Sequence, residues 1–170
     1  MTQPELEKVE LDTPIGRLTI IASTTGVTHV LFDGENPIDV GLDAAVPTVV
    51  DNPILRSACD QLGEYFAGER RDFDLPLDPH GTEFQVEVWS ALAAIPYGKT
   101  LTYSQQAEAI GRPAAVRAVG SANGRNPIPI VLPCHRVVGS DGSLTGYAGG
   151  LDIKRQLLDL ERAQQALPLA

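Results

Sequence analysis

The chain has 170 residues, 43% hydrophobic and 21% charged, with a formal net charge of −9, which is the composition of a globular protein long enough for one large domain or two small ones. No apolar run approaches the roughly 20 residues of a membrane helix, and Met1-Thr2-Gln3-Pro4-Glu5 lacks a basic and then apolar leader, so the expectation is a cytoplasmic protein with no membrane partner. Cys59 and Cys134 lie far apart and His29, His80 and His135 are scattered, which predicts free thiols and no metal; no cofactor is expected either.

The chain opens as mixed α and β. Leu18-Thr19-Ile20-Ile21 follows a Pro14-Ile15-Gly16 turn, and Val27 to Phe32 follows a Thr-Thr-Gly turn, a pattern that predicts a strand hairpin. Asp33 to Asp51, rich in Gly, Pro and Asp, predicts a loop. From Asn52-Pro53, the residues Leu55, Cys59, Leu62 and Phe66 recur at helical spacing until Gly68, so Cys59 is expected in the core. Phe73 to Leu77 predicts one more short strand, and Asp78-Pro79-His80-Gly81 a boundary.

Charge changes character at that boundary. Residues 1–80 hold 5 basic and 15 acidic side chains, residues 81–170 hold 8 and 7, and Lys99, Arg112, Arg117, Arg125 and Arg136 face Glu108 alone between positions 99 and 136. A polyanion repels an acidic surface, so only the second of two units, 1–80 and 81–170, is suited to an anionic partner. A solvated basic face is the alternative reading.

The second unit starts with Thr82-Glu83-Phe84-Gln85, a capping box, after which Phe84, Val88, Trp89, Leu92 and Ile95 line a helix face that Pro96-Tyr97-Gly98 ends. Thr102 caps a helix to Ile110, Gly111-Arg112-Pro113 breaks it, and Ala114 to Ala122 predicts a short helix with a smooth face and one long cation, Arg117. Two short helices around a tight break resemble a helix-turn-helix, although many helical pairs with short turns bind nothing.

Next comes Pro133-Cys134-His135-Arg136 between apolar segments. An imidazole and a guanidinium beside a thiol can favour the thiolate, the reactive form of cysteine. A small buried hydrophobe is the other reading. After the turn Gly139-Ser140-Asp141-Gly142, a last helix is expected from about Asp152 to Ala166, with Ile153, Leu157, Leu160 and Gln164 on one side and Glu161 at its border. A carboxylate there needs a partner. With His135 it would complete a nucleophile, base and orienting group; Arg155, Arg162 or solvent are the alternatives.

Ala115 to Gly120, Asn126-Pro127-Ile128-Pro129, Val131 to Val138 and Thr145 to Leu151 together resemble the O6-alkylguanine-DNA alkyltransferase family, the methylated-DNA-protein-cysteine methyltransferases. The match runs in register from about Phe84 to Glu161, whereas the first 80 residues agree in length and general pattern. The resemblance implies an α+β fold, with an N-terminal mixed α/β, RNase H-like unit followed by a mainly helical, winged-helix-like unit carrying the helix-turn-helix. It implies a DNA repair protein, acting as a monomer on the minor groove of double-stranded DNA, that transfers the alkyl group of O6-alkylguanine, and of O4-alkylthymine, to Cys134 in one irreversible turnover.

Position by position, the resemblance makes His135 the acceptor of the thiol proton through a water, Glu161 its orienting group and Asn126 a hinge. Tyr103 would crowd the target phosphate and help protonate the departing guanine. Arg117 would fill the gap left by the flipped nucleotide, with Ala118 and Ser121 beside it on the DNA-facing helix. Val137, Tyr147, Pro129 and Gly149 would line the guanine pocket. Ala148 stands where some relatives have Ser, so only its backbone could contact substrate there, and the zinc ligands of some members have no counterparts. Two alternatives from other classes remain: a non-catalytic module that recognises alkylated DNA, which would need none of Cys134, His135 and Glu161, and a cysteine hydrolase, which would turn over repeatedly through a thioester.

Overall fold

The computed structural model describes residues 5–165, and the backbone divides between His80 and Gly81 into two units. In the first, β1 (Glu7–Thr13), β2 (Gly16–Ala22) and β3 (Val27–Leu31) form an antiparallel sheet in the order β1-β2-β3, paired in register as Val9 with Ile20 and Thr19 with Leu31. The expected hairpin is therefore a three-stranded meander. In the central strand, Leu18, Ile20 and Ile21 are all 0% exposed. Neighbouring strand residues point to opposite faces, so both faces of this sheet are covered. Helix α1 (Pro53–Phe66), capped by the Asn52 side chain, packs against all three strands. Ile21 and Leu31 gather with Val46, and Leu6 and Leu42 pack beside them.

That cluster, which takes in Leu42 and Val46, corrects the reading of residues 33–51 as plain loop. Their polar turns, including a 3-10 turn at Pro37–Val40, carry apolar anchors that close the sheet. The strand expected at 73–77 is one bridge, Val27 to Leu77, made as the Val27 amide donates to the Pro76 carbonyl at 2.9 Å. A Cβ on Gly26 would meet that carbonyl at 2.6 Å, so only glycine lets the two segments approach there. Cys59 is half-buried rather than core, because Leu55, Ala58, Leu62 and Tyr65 occupy the inward face of α1.

The second unit holds α2 (Glu83–Leu92), β4 (Leu101–Thr102), α3 (Tyr103–Ala109), α4 (Val116–Gly124), β5 (Val137–Val138) and α5 (Leu151–Gln165). Thr82 with Gln85 and Thr102 with Gln105 form reciprocal capping boxes that start α2 and α3. Val88, Trp89, Leu92 and Ile95 are buried, and Phe84 is half-buried. Helix α4 starts at Val116, not Ala114: Pro113 blocks continuity, and Ala115 at the cap offers no side-chain acceptor. The break between α3 and α4 thus spans residues 110–115. Trp89 Nε1 donates to the Ala122 carbonyl at 2.7 Å, and Asn123 Nδ2 donates to Gln106 Oε1 at 2.6 Å, so buried polar groups fix α2, α3 and α4 together.

Helix α5 turns Lys154, Leu157, Leu158 and Glu161 inward, one position away from the expected stripe. The expected end at Ala166 lies outside the described residues. Among the described residues, no helix is long and apolar enough to cross a membrane.

Candidate active site

The segment between α4 and β5 is shaped by Asn126. Its Nδ2 donates to the Leu132 carbonyl at 2.8 Å and its Oδ1 accepts from the Ile128 amide at 2.9 Å, which stitches residues 126–132 into a tight loop with no exposed apolar side chain. Within it Ile130, 0% exposed, has a φ of 75°. A β-branched residue in that region is strained, and among the described residues it is the one non-glycine there. Pro129 within this loop and Val137 beyond it are both buried, with Val137 paired to Leu101 in the parallel β4–β5 bridge.

Cys134 to Arg136 form a 3-10 turn, not an extended segment. Cys134 is 7% exposed. Burial pushes its thiol up to about 11, against opposing pulls from the Asn126 side chain and the Lys154 charge. Burial thus works against the thiolate that the neighbouring imidazole and guanidinium can favour. The Arg136 guanidinium does not offset that burial, since it turns away to Glu161 (Nε to Oε1, 2.9 Å; Nη2 to Oε2, 3.1 Å).

His135 also reaches Glu161, with Nε2 2.6 Å from Oε2 and both side chains 0% exposed. Burial alone would raise the Glu161 carboxyl; hydrogen bonds from His135 and Arg136, with the permanent charge of Arg136, outweigh it and hold the group at about 2. An ionised carboxylate can only accept, so the imidazole donates from Nε2. Burial pushes His135 below its ordinary value despite the pull of Glu161, leaving a neutral ring. Its Nδ1 is buried without a hydrogen-bond partner among the described residues, a lone pair on the side of the ring opposite Glu161.

Tyr103, the first residue of α3, donates from its hydroxyl to the Thr145 carbonyl at 3.1 Å and accepts from Thr145 Oγ1 at 3.2 Å. Lys154 Nζ donates to the same carbonyl at 2.8 Å and lies 5.9 Å from the Tyr103 ring centroid. These contacts tether the irregular segment 139–150, on which Tyr147 and Gly149 are half-buried and Ala148 is exposed. Arg117, Ala118 and Ser121 are exposed on α4 while Val119, Ala122 and Asn123 turn inward.

The structure thus brings Cys134, Asn126, His135 and Glu161 into one buried site, sets Tyr103 on the Thr145 segment and leaves Arg117 on an outer helix face. One member was missed in the sequence: Lys154, which is 0% exposed; Arg136, read both beside the thiol and in the basic cluster, is 4% exposed. Lys154 stands three, four and seven residues before Leu157, Leu158 and Glu161, a helical spacing that marks it as inward-facing.

A family model described as the 6-O-methylguanine DNA methyltransferase DNA binding domain matches residues 83–163, and one described as the ribonuclease-like domain of the same protein matches residues 10–79. The methylated-DNA–protein-cysteine methyltransferase of Methanosarcina barkeri is 49% identical over 152 residues, 89% of this chain and 94% of that protein. The constitutive methylated-DNA–protein-cysteine methyltransferase of Bacillus subtilis is 47% identical over 152 residues, 89% of this chain and 92% of that one. The crystal structure of Mycobacterium tuberculosis OGT in complex with DNA is similar with a TM-score of 0.83 at 45% identity, covering 93% of this chain and 94% of that one.

Proposed function

The chain belongs to the 6-O-methylguanine DNA methyltransferase family, and from that premise we propose that it repairs DNA by moving the alkyl group from O6 of guanine in a duplex onto its own Cys134. The observation that carries this reading is the buried set of Cys134, neutral His135 and ionised Glu161. The sulfur attacks the alkyl carbon, a C–S bond forms, and the C–O6 bond breaks with its electron pair going to guanine. The thiol proton passes through a water to His135 Nδ1, and the departing guanine takes up a proton, for which the Tyr103 hydroxyl is the donor. The thioether cannot be hydrolysed under ordinary conditions, so each molecule acts once. O4-alkylthymine, with the same alkyl–oxygen bond, is a second substrate.

A base inside a duplex cannot reach a buried thiol, so the nucleotide must leave the stack at a cost of a few kcal/mol. The exposed face of α4 supports this role, with Arg117 long enough to take the vacated place and Ala118 and Ser121 small enough to let the helix approach. That geometry suits the minor groove and reads little sequence. Val137, Tyr147, Pro129, Gly149 and the backbone of Ala148 line the guanine pocket. The protein acts as a cytoplasmic monomer, where its free thiols stay reduced. A non-catalytic module for alkylated DNA is disfavoured, since recognition requires no proton acceptor beside a cysteine.

The test is intact-protein mass after incubation with a duplex holding one O6-methylguanine, beside a Cys134→Ser control. A stoichiometric gain of one methyl group, absent in the control, is expected; binding without a mass change would move the assignment to the recognition module.

A further inference from the structure

Arg136 is a buried charge that the transfer chemistry leaves unused. Besides its two bonds to Glu161, its Nη1 donates to the Ile95 carbonyl at 2.6 Å, and its guanidinium carbon lies 5.6 Å from the Tyr97 ring centroid. Glu161 in turn accepts from His135 at 2.6 Å and from the Gly98 amide at 3.1 Å. One fully buried carboxylate is therefore shared between a permanent cation and an imidazole. The charged groups that bear on His135 are Glu161 and Lys154 from α5 and Arg136 from its own turn.

Charge balance gives the consequence. With Arg136 present, a neutral His135 leaves the Arg136–Glu161 pair at zero net charge, and a proton on His135 would make this buried cluster positive. Without Arg136, the same carboxylate would be an unpaired buried charge, which is costly, and the nearest group able to neutralise it is His135. On the reading proposed above, we infer that Arg136 is a positioning residue for alkyl transfer: by balancing Glu161 it keeps His135 neutral, with Nδ1 ready to receive the thiol proton. The adjacent guanidinium acts on the base and not directly on the nucleophile.

The experiment is the single-turnover transfer rate on an O6-methylguanine duplex from pH 5 to 9, for the wild type, Arg136→Gln, Arg136→Lys and the double variant Arg136→Gln with Glu161→Gln. In Arg136→Gln the acid limb of the profile is expected to rise by at least about one pH unit, a tenfold change in proton affinity, and an NMR titration of the His135 ring should move with it. The double variant, electroneutral again, should bring the limb back toward the wild-type position. A merely structural role predicts a rate lowered by one factor at every pH, and that result, or a limb displaced downward, would overturn the proposal. If Arg136→Gln does not fold, Arg136→Lys decides: the charge remains, so its limb must stay within about half a unit of wild type, and a larger upward move overturns the proposal. Absence of transfer by the wild type at any pH would instead overturn the function proposed for the site.

Discussion

Glu161 accepts from two nitrogens of Arg136, from His135 and from the Gly98 amide, and this is the residue on which the site's electrostatics turn. Its folded-state value of about 2 lies below the ordinary 4.5, so the group stabilises the fold above pH 4.5 and that contribution is lost as pH falls from 4.5 toward 2. His135 adds to the same trend, since a ring held neutral by burial loses its contribution as pH falls below its ordinary 6.5. Glu161→Gln, which strands Arg136, should cost about 3–5 kcal/mol at pH 7. The gap between variant and wild type should narrow between pH 4.5 and 3, as followed by denaturant unfolding at each pH; a gap constant with pH would remove the ionised carboxylate from the explanation.

Asn126 makes a second residue-scale case. Truncation to Ala leaves the Ile128 amide without its partner, at about 1–3 kcal/mol for a buried group, while the Leu132 carbonyl keeps only the Cys134 amide at 2.8 Å. The melting temperature should fall by several degrees, and transfer should slow because the loop that presents Cys134 loosens. Cys-His-Arg and a distant Glu were readable in the chain because their chemistry is distinctive. That Arg136 would choose Glu161 over the thiol was not, because side-chain direction is set by what α5 brings close, and sequence spacing carries no record of that.

At the scale of elements, the local signals were the legible ones. The box Thr82–Gln85 and the Thr102 cap appear as read, the latter completed by Gln105 into a second box, because a cap depends on residues three apart and on nothing distant. The onset of α4 was misread by two residues, since Ala114 and Ala115 favour helix intrinsically while Pro113 ahead of them and the lack of a cap decide the start. The inward face of α5 was missed by one position because Lys154 was scored by its charge, whereas its aliphatic stem packs as an apolar chain and only Nζ needs a partner, the Thr145 carbonyl. Thr102→Ala tests the reach of a cap. It should cost about 1 kcal/mol in thermal denaturation, and because Tyr103 follows directly as the first residue of α3, transfer should fall further than the modest loss of stability implies. Unchanged transfer at that stability loss would detach the Tyr103 hydroxyl from the reaction.

For the whole molecule, the governing contrast is a net charge of −10 over residues 1–80 against +1 over residues 81–170. Removing the buried Arg136 from the basic cluster leaves Lys99, Arg112, Arg117 and Arg125 exposed, and Arg112 already pairs with Glu87 at 3.3 Å. So small a set can neutralise only a few phosphates. Each contact steepens the dependence of log affinity on log salt by about 0.9, so duplex binding should follow a slope no steeper than about −4 in a titration from 50 to 200 mM salt. Arg117→Ala separates the two parts that this cation could play. If Arg117 only attracted phosphate, its loss would flatten the slope by about one unit and leave the rate at saturating DNA intact. If it fills the place of an extruded nucleotide, the saturating rate on duplex should fall at least about tenfold, since even part of the few kcal/mol of unstacking exceeds the 1.4 kcal/mol that corresponds to tenfold. Reaction with a free O6-alkylguanine base, which needs no extrusion, should then remain near wild type, and an equal loss on both substrates would place Arg117 outside the flipping step.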